Sequence, residues 1–270
     1  MRLRALALLS LLAVSLLRVL PAHADSGDDP AELARTWNAV WVFTPAPGDS
    51  GYSRLTTAQL SAPLRAQARP LPVEVYAHGC DGLSAISAAT GRFLAQAGYL
   101  VIEPDSFARR DKPVSCRPGE HLGGLHRAVL RWRQAELRYA VAQVATLPNI
   151  APGAPFLMGH SEGAIATATL TGVAIRARVI EGWTCHAGWP EYRGLQAPAD
   201  EPALALVARD DPWFTIPVLR GDCGAFMQGR PLSRSIVYGP PSYLHDRHWL
   251  SGDADVQATI LAFLAAALHR

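Results

Sequence analysis

Gly159-His160-Ser161-Glu162-Gly163 sets a serine between two glycines, after the apolar run Pro155-Phe156-Leu157-Met158 and before the small-residue segment Ala164 to Gly172. Strand, very tight turn and helix is the reading. A side chain at 159 or 163 would collide with the flanking strand or helix, hence the two glycines. The serine is forced into a strained backbone conformation that lifts its hydroxyl clear of the sheet edge. The chemistry this permits is nucleophilic attack by Ser161. A serine hydroxyl is a poor nucleophile near neutral pH and needs a base to take its proton. An imidazole does this best, and a buried carboxylate holds that imidazole in the right tautomer and steadies the imidazolium.

Both partners follow in the chain, in the order serine, acid, histidine. Asp210 and Asp211 compete for the acid. Asp211 is preferred, because Asp211-Pro212 begins the turn and its side chain can clear the end of the strand Ala203 to Ala208. His245 and His248 compete for the base. His248 is preferred, since His248-Trp249-Leu250 precedes a polar turn and a final helix. The bland alternatives are a turn or cap aspartate and a surface-loop histidine. A tetrahedral intermediate also needs two N–H donors. Glu162 offers one at a helix N-terminus. Cys80 offers the other in His78-Gly79-Cys80, where Gly79 permits close backbone approach. His121, His126, His186 and His269 read as surface histidines. No compact H-E-x-x-H set is present and no metal or organic cofactor is called for.

The elements that must position these residues alternate strand and helix. Strands are expected over Val40 to Thr44, Leu71 to Ala77, Tyr99 to Pro104, Arg178 to Trp183, Ala203 to Ala208 and Ser235 to Tyr238, besides the one before Ser161. Helices are expected over 84–97, 126–147 and 255–268. Residues 25–36 read as a loose or short helical lead-in, Gly48 to Pro70 as irregular, and Asp105 to Leu125 as a long loop of the kind that is commonly functional. This alternation implies right-handed crossovers and a single-domain α/β architecture, with a mostly parallel central sheet covered by helices on both faces. In such sheets reactive groups gather at the carboxyl ends of strands. His78, Asp105, Ser161, Cys185, Asp211 and His248 all fall just after strands.

Residues 1–24 carry a basic start (Arg2, Arg4), an apolar stretch from Ala5 to Leu17 and Pro21-Ala22-His23-Ala24, which fits an A-x-A cleavage site. Export is the expectation, to the periplasm or beyond the cell, with residues 25–270 as the mature domain. An uncleaved anchor is disfavoured because Arg18 interrupts the apolar run. Of 270 residues 49% are hydrophobic and 18% charged, which describes a globular chain with a sizeable core. No basic patch with interleaved aromatics points to nucleic acid. Cys80, Cys116, Cys185 and Cys223 form an even set in an exported chain, so two disulfides are expected. Three pairings are possible. Cys80–Cys116 with Cys185–Cys223 is preferred, because each would join neighbouring strand-end loops. A four-thiolate zinc site is disfavoured, as no C-x-x-C pair occurs.

Taken together, Tyr76-Ala77-His78-Gly79-Cys80-Asp81-Gly82, Asp105-Ser106-Phe107, Gly159-His160-Ser161-Glu162-Gly163, Ala208-Arg209-Asp210-Asp211-Pro212-Trp213 and His248-Trp249-Leu250 resemble the α/β-hydrolase superfamily. The dienelactone-hydrolase-like branch is the most similar, over roughly residues 71–268. The resemblance implies Ser161 as nucleophile, Asp211 as acid, His248 as base, and Cys80 and Glu162 as oxyanion donors. Dienelactone hydrolases proper carry cysteine where this chain has serine, so their substrate class is not carried over. An exported serine hydrolase acting on a small-molecule ester or related acyl bond is the leading expectation. The rivals are a peptidase or acyltransferase of the same fold, and a silent hydrolase-fold binding protein. Trp183, Trp189, Trp213, Phe214 and Trp249 lie near the expected site and are candidates for an apolar acyl pocket.

Overall fold

The computed structural model describes residues 26–46 and 51–270, and the leader read over residues 1–24 lies outside them. Among the described residues eight strands form one sheet: β1 (Trp41–Pro45), β2 (Tyr52–Leu55), β3 (Val73–Ala77), β4 (Leu100–Glu103), β5 (Phe156–His160), β6 (Arg178–Glu181), β7 (Ala203–Ala208) and β8 (Arg234–Tyr238). Their spatial order is β2-β1-β4-β3-β5-β6-β7-β8. From β4 to β8 every neighbouring pair is parallel, whereas β1 runs antiparallel to both β4 and β2. The mostly parallel sheet read from the sequence is present.

Helices cover both faces. Leu130, Leu137 and Val144 of α4 (Val129–Val144) and three alanines of α5 (Glu162–Thr169) close one core. Trp37 of α1 (Pro30–Asn38) packs on the same core, as does Leu64 of the short α2 (Ser61–Arg65). On the opposite face Phe93 and Leu94 of α3 (Ala85–Gln96) and Val256, Ile260 and Leu264 of α6 (Ala254–Leu268) meet Tyr76, Met158 and Leu206 of the sheet. Because both faces are covered, β3, β5 and β7 are buried along their whole length. Two carboxyls sit among this apolar packing: Glu74 of β3 and Glu103 of β4 are fully buried, and none of their oxygens has a hydrogen-bond partner. Burial pushes both well above the usual carboxylate range, with the Arg54 charge opposing this at Glu103, and so favours their protonated forms.

Two expectations are corrected and one is resolved. The stretch read as irregular contains β2 and α2. β2 (Tyr-Ser-Arg-Leu) lacks apolar alternation because it is an edge strand, and its Arg54 guanidinium lies 3.7 Å over the ring of Trp41 on β1. Of the two forms read for the lead-in, loose or short helical, the structure has the helical one, α1, with Asp29 accepting a hydrogen bond from the Ala31 amide and Pro30 in the first turn. The helix expected over 126–147 is shorter at both ends.

The order β4-β3-β5 marks a reversal: the chain passes from β3 to β4 on one side and later enters β5 on the other. Clefts in open α/β sheets form at such a reversal, beyond the carboxyl ends of the strands. Here those ends carry Cys80, after β3, and Ser161, after β5. Two disulfides tie neighbouring strand-end loops, Cys80–Cys116 after β3 and β4, and Cys185–Cys223 after β6 and β7. This is the pairing preferred from the sequence.

Candidate active site

Ser161 has φ 57° and ψ −121°, a left-handed conformation that disfavours any residue with a side chain. Its surroundings impose it. The Ser161 amide donates to the Glu181 carbonyl at 2.9 Å, while its own carbonyl accepts from Ala164 (2.9 Å) and Ile165 (3.2 Å) at the start of α5. The turn can be this tight only with glycines on either side. A Cβ on Gly163 would overlap the Ala77 carbonyl at the end of β3, and one on Gly159 would overlap the Gly163 carbonyl and the Thr167 hydroxyl.

Of the two candidate acids, Asp211 is buried and Asp210 is exposed. Asp211 Oδ2 lies 2.7 Å from His248 Nδ1, and Oδ1 accepts from the Trp213 amide at 3.0 Å. A carboxylate oxygen accepts, so Nδ1 carries the proton and Nε2 is left as the basic nitrogen. That Nε2 is buried and has no hydrogen-bond partner among the described residues, Ser161 Oγ included. Ser161 and His248 nevertheless line the same cavity, together with Cys80 and Glu162. The rejected candidates pair with one another: His245 Nδ1 lies 2.9 Å from Asp210 Oδ2 on the surface.

Three residues that sequence reading did not single out fix His248. Glu181, at the end of β6, is fully buried and accepts from the Leu250 amide (2.8 Å), the Ser251 amide (2.5 Å) and the Ser251 hydroxyl (2.9 Å). It thereby fastens the two residues that follow Trp249, at the end of the loop that delivers His248. Burial raises its carboxyl above the usual range, and the backbone hydrogen bonds to Ser251 and Leu250 oppose that. His160 lies beneath: burial and the neighbouring His248 hold it down to about 3, so it is neutral, and its Nε2–H donates to the His248 carbonyl at 3.3 Å. Gly182 has φ 69°, and a Cβ there would meet that carbonyl at 2.9 Å. Trp213 covers the imidazole from the other side, with ring centroids 5.2 Å apart and planes 25° from parallel. The only sequence signal for Glu181 is a charged residue closing an apolar strand, which any solvated strand end would also give.

Glu162 occupies the first position of α5, where the leading amides have no partner inside the helix. Its carboxyl accepts from the Ser115 hydroxyl, one residue before Cys116, and so ties α5 to the long loop after β4. The Cys80 loop is held from below by His78 and Arg133, both buried. His78 Nδ1–H donates to the Gly79 carbonyl at 2.6 Å, and its Nε2 accepts from the Ser106 amide at 3.2 Å. Arg133 Nη2 donates to the His78 carbonyl at 2.6 Å. Burial and the Arg133 charge push His78 far down, so it stays neutral. Asp105 serves as a cap, accepting from the Phe107 amide at 2.9 Å.

The shared cavity measures about 250 Å³. Trp183, Trp189, Trp213 and Phe214 line it as expected, but Trp249 does not. Its indole Nε1 donates to Ser251 Oγ at 3.1 Å and its ring lies against Gly252, because the clasp on Glu181 turns this loop back into the fold. His121, His126 and His186 each lie against an aromatic ring outside the Asp211–His248 pair.

No family model and no curated protein matches the sequence. Solved structures do. A protein from Klebsiella pneumoniae subsp. pneumoniae MGH 78578, described as a candidate dienelactone hydrolase, is similar over 84% of this chain and 99% of its own, with TM-score 0.57 and 17% identity. Est1E from Butyrivibrio proteoclasticus, with ferulic acid bound, is similar over 86% and 95%, with TM-score 0.53 and 11% identity. The esterase Pf2001 from Pyrococcus furiosus is similar over 73% and 83%, with TM-score 0.52 and 14% identity. At such identities a likeness speaks for architecture, and the sheet order, the turn at Ser161 and these three structures agree on it: the chain has the α/β-hydrolase fold.

Proposed function

We propose that the protein is an exported serine hydrolase that cleaves an ester or related acyl bond through an acyl-enzyme. The observation that carries this reading is the buried Asp211–His248 pair, whose Nε2 is unpartnered and whose histidine lines the same cavity as the strained Ser161. Ser161 Oγ attacks the substrate carbonyl carbon and passes its proton to His248 Nε2. Asp211, fixed on Nδ1–H, stabilises the imidazolium. The new oxyanion is held by the amides of Cys80 and Glu162. Collapse of the tetrahedral species breaks the bond to the leaving group, which takes the proton from Nε2. A water molecule, deprotonated by the same nitrogen, then releases the acid and restores Ser161. Catalytic hydrogen bonds in this class often close only when substrate is bound, which accommodates the open Ser161–His248 contact.

The two disulfides and the leader read over residues 1–24 support export to an oxidising compartment. Esterase activity among the structural neighbours adds support by analogy alone. The test is covalent labelling. A fluorophosphonate is expected to modify the mature protein on Ser161, located by peptide mass, with Ser161→Ala unlabelled. A wild-type protein left unlabelled beside a labelled control hydrolase ends the proposal.

A further inference from the structure

The cavity's chemistry limits what can enter it. Five aromatic side chains supply much of its wall: Trp183, Trp189, Tyr192, Trp213 and Phe214. No lysine, arginine or aspartate lines it among the described residues. The Glu162 carboxyl is engaged by Ser115 and raised by burial, and the Tyr192 hydroxyl donates to the Arg127 carbonyl at 3.2 Å. Guanidiniums lie behind the wall: Arg127, 5.3 Å from the Trp189 ring centroid and ion-paired with Glu191; Arg131, whose charge acts on Tyr192; and the buried Arg133, whose charge acts on Glu162 and which lies 4.0 Å from Glu136. Apart from the His248 ring and the oxyanion amides, the lining therefore offers no positive group to a carboxylate or a phosphate. A charged group drawn in would be stripped of water without compensation.

Size and shape add a second limit. An apolar cavity of about 150 Å³ holds benzene, so the volume here, about 250 Å³, suits one substituted ring or a medium chain. Edge-on and stacked aromatic walls favour a flat apolar guest. At the mouth Ile216 and Val218 line the cavity while remaining 54% and 50% exposed, so apolar surface continues outward there, and the exposed Arg220 of the same segment is engaged by the Thr215 carbonyl at 3.0 Å.

We infer that the substrate is an ester bearing an uncharged apolar group of about one substituted ring, which enters this cavity, and that a carboxylate on that group weakens productive binding at least tenfold. This rests on the serine-hydrolase reading. Two matched pairs of substrates test it on wild-type protein. On the acyl side these are p-nitrophenyl hexanoate and the mono-p-nitrophenyl ester of adipic acid; on the alcohol side, phenyl acetate and 4-carboxyphenyl acetate. The carboxylate is expected to lower kcat/KM at least tenfold in one or both pairs. A difference below tenfold in both overturns the inference. Val218→Arg sets a cation at the mouth and is expected to narrow the discriminating ratio at least fivefold; an unchanged ratio also overturns it. Should that variant fail to fold, as judged by its thermal melt, Ile216→Arg makes the same comparison. Fluorophosphonate labelling of the same preparation separates the two readings. Labelling without discrimination removes the substrate class alone, whereas absence of labelling removes the hydrolase.

Discussion

Asp211–His248 and Asp210–His245 are built from adjacent aspartates and from histidines three residues apart, and their contacts are nearly equal in length, 2.7 and 2.9 Å. They differ in setting. The side chains of the first pair are 1% and 15% exposed, those of the second 51% and 38%. Exposed pairs of this kind contribute about 0–1 kcal/mol and are weakened by salt. The buried pair is held in one orientation by Trp213, His160 and Glu181, and its second imidazole nitrogen is left over. Proximity of acid and histidine therefore does not mark a reactive pair. What sets the Asp211–His248 pair apart, and on the proposed mechanism makes it the reactive one, is its enclosure, its unpartnered second nitrogen and a histidine that lines the cavity shared with Ser161.

The contrast can be broken by mutation. The largest effect is expected from His248→Ala, a loss of at least about 10⁴-fold in kcat on the best ester substrate, because Ser161 loses its proton acceptor. Asp211→Asn is expected to cost about 10⁴-fold with the fold intact, since an amide no longer selects the tautomer that leaves Nε2 basic. If either substitution leaves kcat within tenfold of wild type, the buried pair is not the catalytic one. Glu181→Ala is expected to cost on the order of 10²-fold in kcat, as Leu250 and Ser251 lose their anchor and the His248 loop drifts. It also leaves two amides unsatisfied, for a stability loss of about 1–3 kcal/mol in denaturant melts. At the other end of the scale, Asp210→Asn and His245→Ala are each expected to change kcat/KM less than about twofold, as exposed pairs away from the cavity should.

A further prediction concerns pH and the enclosed carboxyls. Glu74 and Glu103 are raised by burial, so the folded state keeps protons that the unfolded chain gives up near pH 4.3. Their stabilising contribution is complete below that pH and is lost as pH rises towards the folded value. The denaturant-derived stability of the wild type should therefore fall with rising pH above about 4.3, by up to about 1.4 kcal/mol per pH unit for each group. In Glu103→Gln this slope is expected to be shallower by one proton. An unchanged slope refutes the assignment of Glu103 as protonated.

Much of this was readable from sequence, for physical reasons that differ by residue. The turn at Ser161 was legible because only glycine fits beside the Ala77 and Gly163 carbonyls, so the constraint is written in residue type. The preference for Asp211 over Asp210 rested on the turn that Asp211-Pro212 begins, and the structure sets Asp211 against His248 and Asp210 against His245. Glu181, His160 and Arg133 were not, since their partners lie 70, 88 and 55 residues away and nothing local marks a charged residue as a clasp. β2 was hidden for a related reason: its order comes from pairing with β1 and from the Arg54–Trp41 contact, not from its own alternation. Trp249 was misplaced because the reach of its loop depends on Glu181.

The sulfur bridges deserve one last consequence. Cys80 carries a candidate oxyanion amide and is bonded to the loop over α5, while Cys185–Cys223 joins the two segments that bear Trp183 and Trp213. Under the proposed export these bonds close only after the chain leaves the reducing cytosol, and each then fixes one side of the cleft in addition to the hydrogen bonds already there.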